Sequence, residues 1–336
     1  MDGLKKVIGL NVSRRAATAG LLTMAMPIQV SAAAGMRPEA GPPLVHSGAQ
    51  MVVEMAPVHI ALRRMWGENA KFINGGVVNL VGPDRKAHVA SNGETQNLRH
   101  SATDPSIRVL MTIAEGHYPI LARRSAGIGE LADLKGKRIL SYARTTAGYF
   151  LEKMLQRVNL TLDDVTVVET PLADIPRVVA AKEVDAVAIW EPDSQMAYWV
   201  LRHMGEDLTM FSGAETYYER YNLCTVAEHL ADPAMRARIV AFTRAIIDAT
   251  RDINTLPAVA AESHEIVSRS GGLYTVEEIA QSFPNVKFTS NVDEGMLDLF
   301  VEQEPWIAAL DERQPRSREE LATLIDRSVY DEAMAL

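Results

Sequence analysis

The chain has 336 residues, with 34 basic and 43 acidic side chains, a formal net charge of −9 and one cysteine, Cys224. That balance disfavours nucleic acid and anionic membrane as partners. A lone cysteine excludes an intrachain disulfide and a cysteine-built metal centre.

The first 34 residues read as a targeting segment rather than as part of the fold. Lys5 and Lys6 lead to Arg14 and Arg15, then to an apolar run from Ala16 to Val30 and small residues from Ser31 to Ala34. Paired arginines before a weakly apolar run suggest twin-arginine export, although Ala17 stands where a bulkier apolar residue is common, and an ordinary secretory signal is the alternative. Thr18, Gly20, Thr23 and Pro27 interrupt the run, which is too short to span a bilayer. Cleavage after it leaves 302 residues, 30 basic and 42 acidic. That length suits two α/β lobes, given domains of about 100–200 residues.

In chain order, residues 35–48 are rich in Pro and Gly and predict no stable element. Met51–Met55 predicts a short strand, and Val58–Trp66 a helix with Ile60, Leu62, Met65 and Trp66 toward the core. Phe72–Ile73 and Val77–Val78 flank Gly75–Gly76, which suggests a strand, a turn and a brief continuation. His88–Ala90 predicts a strand, Gly93–His100 a helix, and Arg108–Ile113 and Tyr118–Ala122 two extended runs. From Asp133 the alternation becomes regular, with strands at 138–142, 165–169 and 186–190 and helices at 146–158, 173–183 and 193–203. Such spacing implies parallel strands with right-handed crossovers. Beyond Asp232–Pro233, a helix start, the chain reads as mainly helical: Met235–Asn254, then three or four more helices, including Thr275–Phe283 and Met296–Leu310.

Two junctions carry candidate chemistry. Arg144, Thr145, Thr146 and Gly148 sit where a strand ends and a helix begins. A helix start leaves unpaired N–H groups and about half a positive charge, which suits an oxyanion. Arg144 would add a full charge, and Gly148 would let a ligand approach the backbone; the plainer reading is a threonine helix cap. Trp190–Glu191–Pro192 ends the strand "VDAVAIW". Its indole can wall a ligand and Glu191 can accept from a ligand donor, or both can simply pack under and favour the next helix. None of the eight histidines has an HxxxH or HExxH spacing, so no metal and no cofactor is expected. No nucleophile-elbow, P-loop or dinucleotide fingerprint is present either.

The ordered run "HVASNGETQNLRH…DPSIRVLMTIAEGHYPILARR", then "DLKGKRI", "ARTTAGYF" and "EVDAVAIWEP", resembles the substrate-binding proteins of ABC importers, in the nitrate/sulfonate/taurine branch that includes thiamine-pyrimidine-precursor binders. The resemblance covers most of residues 50–260. It implies an α/β fold of the bilobal periplasmic-binding-protein type II kind: two lobes with mainly parallel sheets and a helical C-terminal part. Lobe one would be 45–117 plus 223–330, and lobe two 118–222, with crossovers near Glu115–Tyr118 and Tyr221–Val226. The span from Val78 to Lys86 is too short for the helix the family usually places there, so lobe one would be trimmed.

The resemblance also implies ligand contacts. Ser91, Asn92, Glu94 and Thr95 would face the ligand opposite Thr145, unless they are an ordinary helix cap. Glu94 would pair with Arg99 or Arg144, or meet a positive group on the ligand. Pro57 and His59 would follow the first strand, Glu115 would lie at the hinge, and Tyr149 would follow Gly148. The implied function is capture of a small organic solute, a sulfonate, carboxylate or related nitrogen/sulfur compound, by a periplasmic monomer. The solute would pass to a permease and its ATPase subunit, with no nucleic acid involved. The alternatives are an enzyme on the same fold, chorismate-dehydratase-like or pyrimidine-synthase-like, and an exported sensor module. The leader argues against the enzymes, whose chemistry is cytoplasmic, and the sensor would need a signalling domain.

Overall fold

A computed structural model describes residues 41–49, 51–271 and 274–336. The expected leader over 1–34 lies outside them. The chain begins with β1 (Val45–Gly48), α1 (Ala56–Trp66), β2 (Lys71–Asn74), β3 (Val89–Gly93), α2 (Glu94–Thr103), β4 (Ile107–Gly116) and β5 (Ile120–Arg123). It continues through β6 (Arg138–Leu140), α3 (Thr146–Gln156), β7 (Thr166–Val168), α4 (Ile175–Ala180), β8 (Ala186–Ala188), α5 (Asp193–His203), β9 (Leu208–Phe211) and β10 (Glu219–Val226). It ends with α6 (Ala227–Ala231), α7 (Pro233–Thr255), α8 (Pro257–Gly271), α9 (Val276–Ser282), β11 (Val286–Asn291), α10 (Met296–Leu310), α11 (Arg318–Ala322) and α12 (Ser328–Met334).

The strands form two sheets, ordered β11-β4-β10-β3-β1-β2 and β7-β6-β8-β5-β9. Residues 117–119 carry the chain from the first sheet to the second, and 212–218 carry it back. The return crossover therefore precedes Tyr221–Val226, which lies inside β10. Both sheets are mixed: β1 runs parallel to β2 and β3, and β6 to β7 and β8, whereas β10 and β5 are antiparallel to their neighbours. Those two strands follow the crossovers, so each enters its sheet against the direction set by the βα units.

Local chemistry explains most elements. Asp232 accepts from the amides of Ala234 and Met235 and starts α7, with Pro233 at its first turn. Ile239, Phe242 and Ile246 on α7 pack with Val58, Ile60 and Leu62 of α1 in one core. Phe150, Leu151 and Met154 of α3 fill a second core against Ile120 and Ile139. Burying each such side chain is worth about 1.5–3 kcal/mol. Cys224 is fully buried in β10 beside Val109 and Phe300, and burial pushes its thiol up.

Several expectations need correction. The first strand is Val45–Gly48, within the stretch expected to hold no element, while Val53–Met55 forms a 3₁₀ turn leading into α1. Pro57, fixed in φ at the start of α1, favours that turn over a strand. Between β2 and β3 there is only the 3₁₀ turn Gly76–Leu80, so this half is indeed short of a helix. The C-terminal region contains five helices after α7 among the described residues, and also strand β11. The alternating burial of "VKFTSN" is a period-2 signal that the helical reading passed over.

Candidate ligand-binding cleft

The cleft lies where the two sheets meet. From the first sheet come the turn after β1, the end of β3 with the start of α2, the end of β4 and the start of β10. The second sheet contributes the start of α3 and the step from β8 to α5. Gly93 marks how closely they approach: a Cβ there would lie 2.6 Å from Thr146 Cγ2 and 3.0 Å from Glu219 Oε1.

Carboxylates dominate this contact. Glu54, Glu94, Glu191, Asp193 and Glu219 are all buried. Glu219 Oε2 accepts from the Tyr118 hydroxyl and the Thr146 hydroxyl, each at 2.9 Å. Glu94 accepts from the Tyr217 hydroxyl, from Gln303 Nε2 at 2.7 Å and from the Arg220 amide at 2.8 Å. Glu191 accepts from Asn285 Nδ2 at 2.7 Å and the Gln195 amide at 3.0 Å, and Asp193 from the Tyr274 hydroxyl. Glu54 is different: no other described residue donates a hydrogen bond to either carboxylate oxygen. Its Oε1 would lie 2.9 Å from a Cβ on Gly116, so the bare glycine lets it reach the first crossover.

No lysine or arginine among the described residues forms an ion pair with any of these five groups. Burial without a countercharge favours the protonated form. Burial, then the charge of Glu94, raises Glu219 to about 7. Burial raises Glu191 to about 7 and Asp193 to about 6. Burial also raises Glu94. Glu54 stands well above the carboxylate range through burial, then the charges of Glu219 and Glu191, with only its own backbone amide pulling the other way between those two effects.

The expected site residues divide into three groups. Glu94, Thr146 and Glu191 belong to the acidic contact. Ser91, Asn92 and Thr95 lie beside it, and none of them caps α2. Ser91 Oγ bonds His46 Nε2 at 3.0 Å, Asn92 Oδ1 accepts from the Val77 amide at 2.7 Å, and Thr95 Oγ1 is buried without a partner. Trp190 packs on Tyr142, with ring centroids 5.3 Å apart, and its buried Nε1 has no partner among the described residues.

The remaining residues have other structural partners. Thr145 caps α3, accepting from the Ala147 amide at 3.2 Å. Arg144 pairs with Asp311 at 2.7 Å, as does Arg99 at 3.2 Å, so neither arginine meets Glu94. Gly148 is needed by its own turn, since a Cβ there would lie 2.3 Å from the Ala143 carbonyl oxygen. Tyr149 donates to Glu302 at 3.0 Å, and Glu115 faces Lys287 at 3.9 Å. Pro57 and His59 are buried in α1, where His59 lies 5.4 Å from the Phe72 ring.

Glu54, Glu219, Tyr118 and Tyr217 escape the sequence reading. Glu54 falls in the stretch read as a strand. Tyr118 ends the segment read as the first crossover and begins a run read as extended, and Tyr217 and Glu219 stand at the return crossover and the start of β10, ahead of the expected Tyr221–Val226. A cavity of about 300 Å³ adjoins the acidic contact, lined by Tyr118, Glu191, Ser194, Gln195 and Asn285 among others. No group of three or more His, Cys, Asp or Glu side chains among the described residues is placed to hold a metal ion.

Two mixed α/β sheets joined by two crossovers define the bilobal type II periplasmic-binding-protein fold. The profile of the family described as "NMT1/THI5 like" matches residues 74–260, more than half of the sequence, and the chain belongs to that family. The periplasmic nitrate-binding protein NrtA from Synechocystis PCC 6803 superposes with a TM-score of 0.66 at 12% identity, over 88% of this chain and 89% of that one. The alkanesulfonate-binding protein SsuA from Xanthomonas axonopodis pv. citri, bound to MOPS, gives 0.62 at 15% identity, over 85% and 99%. A Brucella abortus chain named as a binding protein is 35% identical over 146 residues, which is 38% of this chain. The match spans 45% of that relative's length.

Proposed function

We propose that the chain is the extracytoplasmic solute-binding component of an ABC importer. The observation that carries this reading is the cleft itself: strand ends and helix starts of two sheets converge on buried polar groups, and only residues 117–119 and 212–218 link the sheets. Family membership and the nitrate- and sulfonate-binding structural neighbours support it. A small organic solute, a sulfonate, carboxylate or related nitrogen/sulfur compound, is held between the Ser91–Thr95 segment and the Thr145–Thr146 and Trp190–Glu191 junctions. The lobes close about the crossovers and bury it. Binding is the whole of the chemistry. A monomer, exported through its 1–34 leader by the twin-arginine route, delivers the solute to a permease driven by an ATPase subunit.

Thermal-shift screening against sulfonates, carboxylates, amino acids and nitrogen heterocycles tests the reading. A solute at about 100 times its Kd adds about 2.7 kcal/mol of stability. Small-angle scattering with such a solute should give a smaller radius of gyration than without it. A saturating solute that leaves the radius unchanged argues against closure.

A further inference from the structure

We propose that the solute presents a positively charged nitrogen to this cleft, and that Glu54 is its partner. The inference rests on the solute-binding reading above and specifies the chemistry of the same site. Glu94, Glu191 and Glu219 each have hydrogen-bond donors within the protein. Glu54 is 1% exposed, receives no hydrogen bond on either oxygen from any other described residue, has only its own backbone amide to favour its charged form, and feels the charges of Glu219 and Glu191. A buried carboxyl avoids the cost of its charge by holding a proton, and a cationic solute would let Glu54 ionise by supplying a matching charge and N–H donors.

Protein cations do not supply that match. Arg144 and Arg99 are held by Asp311, and Arg220 by Asp293 at 2.5 Å. An anion would find the threonine junction already engaged, because the Thr146 hydroxyl donates to Glu219 and the Thr145 hydroxyl to the Tyr142 carbonyl at 2.8 Å, which leaves Trp190 Nε1 and Thr95 Oγ1 as buried donors without a partner beside five buried acids. The cavity of about 300 Å³ is lined by Tyr118 and by Glu191, whose charge Glu54 feels, and is at the lower end of the usual size for small-molecule sites. A protonated amine or amidine fits better than a bare metal ion, since its several N–H donors can serve both oxygens of Glu54, and no group of three or more His, Cys, Asp or Glu among the described residues is placed to hold a metal. Glu54 lies outside residues 74–260, so the family match does not bear on it.

The test is calorimetric titration of the purified full chain with matched amine and hydroxyl probes: taurine against isethionate, benzylamine against benzyl alcohol, and putrescine against 1,4-butanediol. We expect at least one amine to bind at least about tenfold more tightly than its hydroxyl partner. Glu54→Gln should weaken that amine by at least about tenfold, with a melting temperature equal to or above that of the parent protein. Three results overturn the proposal: no amine binds, amine and hydroxyl partners bind equally, or Glu54→Gln keeps full amine affinity. A sulfonate or carboxylate without an amine that binds and shrinks the radius of gyration would overturn the cationic nitrogen while leaving solute binding intact. Failure of all probes, together with failure of the broader thermal-shift screen, would count against both.

Discussion

Two glutamates, equally buried at 1% exposure, are treated in opposite ways. Glu304, on α10, is surrounded by cationic donors: Arg313 Nη1 lies 2.5 Å away, and Arg316 reaches it through its amide at 2.9 Å, Nε at 3.0 Å and Nη2 at 2.9 Å. Burial pushes Glu304 up, but the hydrogen bonds from Arg316 and then Arg313 outweigh it and hold the carboxyl at about 2. Glu54, in the cleft, has no such donor and stands well above the usual range. The first arrangement is a structural clasp that satisfies itself. The second is incomplete within the protein, as a binding surface is before its ligand arrives.

The comparison can be broken most directly at Arg316. Replacing one partner of a buried ion pair costs about 3–5 kcal/mol. Arg313 remains in Arg316→Ala, so a loss near the lower end, about 3 kcal/mol, is expected in urea unfolding. A loss below about 1 kcal/mol, the range of an ordinary exposed pair, would show that the clasp is only decorative.

Acidity separates the two regions next. Unfolded glutamates and aspartates ionise near pH 4, whereas Glu219 and Glu191 keep their protons to about 7 and Asp193 to about 6. The folded protein therefore binds more protons than the unfolded chain across that window, and its stability falls as pH rises from about 4.5 to about 7. Glu304 acts with the opposite sign, because its stabilisation is present above about pH 4.5 and is lost as pH falls toward about 2. Melting temperature should consequently peak near pH 4.5–5 in the absence of solute and fall toward neutrality. A flat profile from about pH 5 to 7 would show that the cleft carboxyls are solvated.

Glu54→Met sharpens the contrast from the other side. Exchanging an unpaired buried acid for an apolar side chain of similar volume should stabilise the solute-free protein by about 1–2 kcal/mol, within the range seen when buried ionic groups are replaced. A destabilised variant would mean that Glu54 has an internal partner. The smallest effect is expected at Thr146, a neutral donor that leaves Glu219 between the two extremes. Thr146→Val removes one hydrogen bond and should cost about 1 kcal/mol, again read from urea unfolding.

The legible parts of the molecule are those governed by short-range rules. Helix α5 occupies 193–203 and α10 occupies 296–310, as their patterns indicate, and the βα alternation from β6 to α5 follows from strand-to-helix spacing. β1 is hidden because four residues after a Pro- and Gly-rich stretch carry little pattern, and Pro57 rather than hydrophobic alternation determines the conformation of the segment leading into α1. The site is harder to read. Thr145 and Thr146 are adjacent in sequence and look equivalent, yet one caps its own helix while the other reaches a carboxylate 73 positions away. Arg144 looks like an anion receptor until Asp311 is seen beside it. Such pairings join residues far apart in the chain, and no local window contains both partners.

Cys224 has a practical consequence. It is the only cysteine in the chain, it is fully buried, and its thiol is held protonated well past neutrality. Thiol-directed dyes require the thiolate and access to it, so the native protein should remain unlabelled. A cysteine introduced at exposed Met210 beside β5 and another at exposed Val78 near β2 would then be the only reactive thiols. A donor–acceptor dye pair on those two positions would convert movement between the sheets into a fluorescence signal without first removing any natural cysteine.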